Sequence, residues 1–126
     1  EAVRRVSGSG LVVGVSTSRL EEAELAVESG ADYCGVGPMF ETATKLKDRI
    51  AGPGYLRAFL ERFGGRVGCL AIGGIGVGNA GELARAVAGV GSGDPGFGVA
   101  VSSAVCGSVD PAGVCREIVE AMSGGV

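Results

Sequence analysis

Histidine is absent from all 126 residues. That removes His-based nucleophilic triads, histidine general bases and imidazole metal ligands together. The four cysteines, Cys34, Cys69, Cys106 and Cys115, form no C-x-x-C pair. Cys34 and Cys69 lie inside apolar, strand-like runs and Cys115 on the apolar stripe of a helix. The expectation is buried, reduced thiols in a cytoplasmic protein rather than disulfides or metal ligands. No apolar stretch approaches the roughly 20 residues needed to cross a bilayer. The opening, EAVRRVSGSG, lacks the apolar core of a signal peptide and has no initiator Met, which reads as a processed or partial chain. Positive charge is in deficit, with 11 Lys and Arg against 14 Asp and Glu and a net charge of −3. That balance argues against a general affinity for nucleic acid or anionic membranes.

What is abundant is apolar surface and glycine. Hydrophobic residues make up 46% of the chain and charged residues 20%, the balance of a globular domain. The 25 glycines show no three-residue period. They gather at the ends of apolar runs, where a chain turns or a ligand approaches the backbone. Four such runs punctuate the sequence, at 11–16, 32–37, 67–74 and 97–103. None alternates strictly with polar residues, which predicts parallel strands buried on both faces.

A helical pattern follows each run. Ser18 and Glu21 read as a capping box opening a helix to about Ser29, with Gly30 as its stop. Leu56, Phe59, Leu60 and Phe63 have the spacing of one helix face, ended by Gly64 and Gly65. Ala80, Leu83, Ala84 and Val87 repeat that spacing, with Asn79 and Glu82 as a second capping box. Asp110 and Pro111 open the last helix, whose stripe is Cys115, Ile118, Val119 and Met122. Residues 38–53 are expected to form a long loop and residues 90–96 a flexible turn. Arg4 and Arg5 are expected to belong to the end of a preceding helix.

The order β-α-β-α-β-α-β-α implies a parallel sheet with right-handed crossovers. Four β/α units are half of a (β/α)8 barrel, which typically takes about 250 residues. A four-stranded open sheet leaves exposed edges and one face uncovered, so residues 1–126 are expected to form a partial barrel completed by something else.

In such barrels chemistry is built on the loops after the strand C-termini, and those loops share a theme. The first offers Ser16, Thr17 and Ser18. Ser18 suits a helix cap, whereas Ser16 sits at the strand tip facing a barrel mouth. The second carries Thr42, Thr44 and Lys45. In an extended loop the two hydroxyls project to one side and the lysine adds a mobile point charge, which suits phosphate oxygens; the bland alternative is a solvated polar loop, and Lys47 and Arg49 add little. The third is the turn Gly73, Gly74 to Asn79, where backbone N–H groups at a helix start can meet an anion. It has neither dinucleotide spacing nor a Walker lysine. The fourth carries Ser102 and Ser103. Loops after the last two strands of these barrels frequently form a phosphate site.

The residues GVS (14–16), GADYCGVGPMF-x-T-x-TK (30–45), AIGGI (71–75) and GVAVSSAV (98–105) resemble the second half of thiamine-phosphate synthases, in order and over nearly the whole chain. The run from Gly30 to Lys45 is the most specific part. The resemblance implies the C-terminal half, the last four β/α units, of a TIM (β/α)8 barrel. It implies a transferase of thiamine biosynthesis that joins hydroxymethylpyrimidine diphosphate to thiazole phosphate with release of diphosphate. Ser16 and Lys45 would then contact the diphosphate, with Lys45 neutralising charge on the leaving group. Thr42, Thr44, Gly73, Gly74, Ser102 and Ser103 would hold the thiazole phosphate. The family's Mg²⁺ ligands and pyrimidine pocket lie in its N-terminal half, which no part of this chain matches, so no metal ligand is assigned and the chain alone is expected to be inactive or crippled. Residues 89–96 are also longer than the family's usual link. The implied partners are small phosphorylated substrates, with a homo-oligomer or a complementing half-barrel to cover the open sheet. Three alternatives stand beside this reading. A thiazole tautomerase-like relative would need a histidine in the loop from Val15 to Arg19. A non-catalytic phosphate-binding half-barrel would need only the phosphate loops. Another phosphate-binding barrel would not be expected to carry T-x-T-K after the second strand.

Overall fold

The computed structural model describes residues 10–41, 50–90 and 96–123. Its strands are β1 (Gly14–Thr17), β2 (Tyr33–Val36), β3 (Gly68–Ile72) and β4 (Gly98–Ala100). Its helices are α1 (Leu20–Glu28), α2 (Gly52–Phe63), α3 (Ala80–Ala86), α4 (Ser103–Cys106) and α5 (Pro111–Ser123). The expected alternation is present, with one addition, the single turn α4 between β4 and the last helix. The strands form one parallel sheet in the order β1-β2-β3-β4. Every strand therefore ends at the same edge of the sheet.

The period of two along each strand divides the sheet into unlike faces. Cys34, Val36, Cys69 and Ala71 point to one face and are buried. Helices cover that face in a single layer, α1 on α2, α2 on α3 and α3 on α5. Helix α2 contributes Leu56, Phe59, Leu60 and Phe63, all buried, as the spacing predicts. Phe59 is the central ring, edge-on to Tyr55 at 6.3 Å and tilted against Phe63 at 5.3 Å between ring centroids. Loop residues add to the same core: Met39 after β2 and Ile75 after β3 are 1% and 5% exposed.

The opposite face is uncovered, as four β/α units by themselves are expected to leave it, and is not buried as the apolar runs suggested. Gly14, Ser16, Gly68 and Ile72 are exposed there, and the register aligns Ser16, Gly35, Leu70 and Gly98 across it. Continuous apolar runs predict two covered faces, but among the described residues the helices supply only one layer.

Local signals held in part. Helix α1 ends in a Schellman motif, with Gly30 N–H on the Val27 carbonyl and Ala31 N–H on the Ala26 carbonyl. Its start differs from the expected box: Glu22, not Glu21, accepts from Ser18 through both the backbone N–H (2.7 Å) and the hydroxyl (2.9 Å). Those bonds, the backbone one first, hold the Glu22 carboxyl below its usual range. Asn79 makes no cap bond to α3, because its amide is engaged in the preceding turn. Asp110 does cap α5, accepting from Gly113 N–H at 3.1 Å. The buried stripe of α5 is centred on Ile118, flanked by half-buried Val114, Ala121 and Met122, whereas Cys115 and Val119 are exposed. Helix α5 leans on α3 and α4, which rotates the flank bearing Cys115 and Val119 away from the core.

The cysteines divide accordingly. Burial raises the Cys34 thiol and pushes Cys69 up to about 12, while Cys106 and Cys115 are exposed. Because the thiolate is the reactive species, a thiol reagent at mildly alkaline pH is expected to modify Cys106 and Cys115 quickly and Cys34 and Cys69 only on unfolding. Equal labelling of all four in the native protein, read by peptide mass spectrometry, would contradict this packing.

Candidate functional site

At the edge where the strands end, three hydroxyls leave β1 in different directions. Ser16 is exposed on the bare face, its Oγ 3.7 Å from where a Cβ on Gly35 would stand. Ser18 is committed to Glu22. Thr17 turns the other way and is 4% exposed. Its Oγ1 donates to the Gly35 carbonyl at 2.9 Å and meets Tyr55 Oη at 2.7 Å. Tyr55 Oη also reaches the Arg19 carbonyl at 3.2 Å, and burial pushes its pKa up to about 12. Thus Thr17 and Tyr55 fasten the β1–α1 turn to α2, and Ser16 is the hydroxyl left facing the open side.

After β2 the chain crosses a cis Gly37–Pro38 bond and runs over the end of β3. Met39 N–H bonds the Ile72 carbonyl and Phe40 N–H the Gly73 carbonyl, both at 3.0 Å. This contact explains the paired glycines. Gly73 and Gly74 have φ of 106° and 66°, conformations that side chains resist. A Cβ on Gly73 would stand 2.8 Å from Pro38, and one on Gly74 2.6 Å from the Glu41 carbonyl. The chain leaves this contact at Glu41 and is described again from Ile50, with Gly52 N–H returning to the Pro38 carbonyl at 3.1 Å. Thr42, Thr44 and Lys45 fall between, outside the described residues.

Peptide planarity sets where the Gly73 and Gly74 amides aim. In a trans peptide the C=O and the following N–H point in opposite directions. The Ile72 and Gly73 carbonyls point at the β2 loop, so the Gly73 and Gly74 N–H groups point toward β4, the strand on the other side. There, the turn after β4 presents exposed Ser102 and Ser103. The two turns touch, since a Cβ on Gly76 would lie 3.5 Å from that of Ala104. Successive backbone N–H groups beside two hydroxyls form a concavity that can receive an oxyanion. Gly73, Gly74, Ser102 and Ser103 therefore lie on neighbouring turns at the same edge of the sheet. Ser16 lies two strands from β3, about 10 Å at ordinary strand spacing, far enough for a second charged group. Among the described residues no three of His, Cys, Asp and Glu gather to hold a metal ion, and no helix is long and apolar enough to cross a membrane.

Sequence reasoning missed the Thr17–Tyr55 bond, which joins residues 38 apart and leaves no local signal. It also misread Asn79. The amide accepts from Gly76 N–H and donates to the Gly74 carbonyl, each at 2.8 Å. An Asn three residues after a turn glycine is the local sign that could have revealed this.

Comparison with known proteins gives a consistent picture. The family model described as thiamine monophosphate synthase matches residues 1–105. The chain is similar to the thiamine-phosphate synthase of Methanospirillum hungatei, 40% identical over 122 residues, covering 96% of this chain and 54% of that protein. It is similar to the enzyme of the same name from Coprothermobacter proteolyticus, at 34% identity with 94% and 52% covered. The chain thus spans about half the length of the curated relatives it matches. Among solved structures it resembles a thiamine phosphate pyrophosphorylase from Pyrococcus furiosus, with a TM-score of 0.75, 33% identity and coverage of 97% of this chain and 54% of that one. The native KDPGal structure shares the fold at a TM-score of 0.64 and 23% identity, again over 54% of its chain. The fold is that of half a TIM-type (β/α)8 barrel, four β/α units on one parallel sheet.

The close approach at Gly74 carries a stability prediction. Gly74→Ala is expected to cost about 2 kcal/mol or more, from positive φ and from overlap with the Glu41 and Phe40 carbonyls. Gly78→Ala, where nothing lies within 4 Å, should stay within about 0.5 kcal/mol of wild type. Denaturant unfolding of both variants measures the difference, and similar values for the two would contradict the packing.

Proposed function

The chain belongs to the thiamine monophosphate synthase family, and from that premise we propose that the protein joins hydroxymethylpyrimidine diphosphate to thiazole phosphate and releases diphosphate, as a cytoplasmic enzyme of thiamine biosynthesis. The observation that carries this reading is that the Ile72 and Gly73 carbonyls face the β2 loop, which turns the next two N–H groups toward the side where Ser102 and Ser103 stand exposed. In the proposed complex these four residues hold the thiazole phosphate, with Thr42 and Thr44 donating from the loop that leaves beside Gly74. A phosphate so held fixes the thiazole ring, so that its nitrogen meets the pyrimidine methylene in line with the departing diphosphate.

Ser16, about two strands away, is proposed to contact the diphosphate, and Lys45 to reach the same group. As the carbon–oxygen bond breaks, negative charge accumulates on diphosphate, and a positioned ammonium stabilises it more in the transition state than in the ground state. The family's reaction also uses Mg²⁺. The described residues do not fit that ion, since they assemble no ligand cluster. The bare sheet face is read as the inner wall of a barrel whose other strands come from elsewhere in the full-length enzyme or from a second copy.

Steady-state kinetics of the full-length enzyme test the assignment. Lys45→Ala is expected to lower turnover by about a hundredfold or more, and Lys47→Ala to leave it near wild type. Equal, small effects of the two substitutions would sink the role given to Lys45.

A further inference from the structure

We infer that Asn79 is the positioning residue of the phosphate turn, acting without touching the ligand; this rests on the function proposed above. Its side chain bridges the two ends of the turn. Nδ2 donates to the Gly74 carbonyl and Oδ1 accepts from the Gly76 N–H, each at 2.8 Å. The backbone closes the same loop, with Asn79 N–H and Ala80 N–H both on the Gly76 carbonyl.

The consequence concerns the peptides in between. A carbonyl turned toward an incoming phosphate repels it, whereas an N–H attracts it. The Gly73 carbonyl is kept out of the way by Phe40 N–H. Asn79 does the same for the Gly74 carbonyl, which has no other partner among the described residues. Because the Gly74–Ile75 peptide is planar, holding its carbonyl against Asn79 fixes the Ile75 N–H in the opposite direction. Ile75 itself is anchored in the core at 5% exposure, so that peptide is held at its side chain and at its carbonyl. Without the amide the peptide is free to flip, and glycine at 74 offers it little resistance.

Asn79 is thereby distinguished from an ordinary helix cap. It makes no bond to the N–H groups of α3. Its loss acts on the turn before the helix, and the two substrates of the proposed reaction report it differently. The thiazole phosphate depends on the turn; the diphosphate, placed at Ser16, does not.

The test compares Asn79→Ala and Asn79→Ser in the full-length enzyme. Serine keeps a favourable residue at the start of α3 but is too short to span both groups. For both variants KM for thiazole phosphate is expected to rise about tenfold, the equivalent of losing one fixed donor to a charged group, while KM for the pyrimidine diphosphate stays near wild type. Calorimetric titration of each protein with thiazole phosphate should show the same loss of affinity. An unchanged KM for thiazole phosphate in folded Asn79→Ser would overturn the inference while leaving the proposed function standing. A parallel rise in both KM values would also overturn it, by reducing Asn79 to a general structural role. Wild-type protein that binds no thiazole phosphate at all would overturn the proposed function, and this assignment with it.

Discussion

The segment Pro38–Glu41 lies directly on Gly73 and Gly74, with no space for a side chain at either glycine. Much of the candidate site follows from that contact. It fixes the Ile72 and Gly73 carbonyls toward the β2 loop, and planarity then turns the next two N–H groups toward β4. It also fixes the chain as far as Glu41, the last described residue before the T-x-T-K run. Two loops distant in sequence are thus coupled by main-chain hydrogen bonds and close packing, which tolerate little displacement.

The sheet supplies the frame for that contact. Four parallel strands in sequential order bring all their C-termini to one edge, and helices packed on a single face leave the other face bare. Met39 and Ile75 sink apolar side chains into the helix-side core, so the two loops that meet at the glycines are each anchored from below. On β1, the bond between Thr17 and Tyr55 does the equivalent for the turn beside Ser16. Polar groups facing the open side are therefore carried by turns whose other residues are tied down, an arrangement suited to holding small ligands in a fixed geometry.

Much of the fold was legible in the sequence because its signals are local. The α2 face from Leu56 to Phe63, the Gly30 stop and the Asp110–Pro111 start each declare themselves within a few residues. The count of four β/α units pointed to an open sheet with one uncovered face, but the runs did not say which face, because an apolar run reports that a strand will be covered and not which neighbour covers it. Cys115 and Val119 misled for the same reason: their spacing fits a stripe whose buried width depends on how α5 leans on α3. Ser16, Gly73, Gly74, Ser102 and Ser103 were nominated from their place after strands, and they do stand at the edge where the strands end. The reason for the paired glycines, the direction of their amides and the work of Asn79 depend on contacts between loops, which a linear sequence does not display. Thr42, Thr44 and Lys45 lie outside the described residues, and their assignment continues to rest on the motif.

The central claim is that the Gly73–Gly74 amides and the Ser102–Ser103 turn form one anion cradle. A crystal structure of the full-length protein with thiazole phosphate bound tests it most directly. The account predicts the phosphate between the two turns, within hydrogen-bond distance of Gly74 N–H and of a donor on Ser102 or Ser103. A phosphate ordered elsewhere on the protein, with these amides facing only solvent, would contradict it.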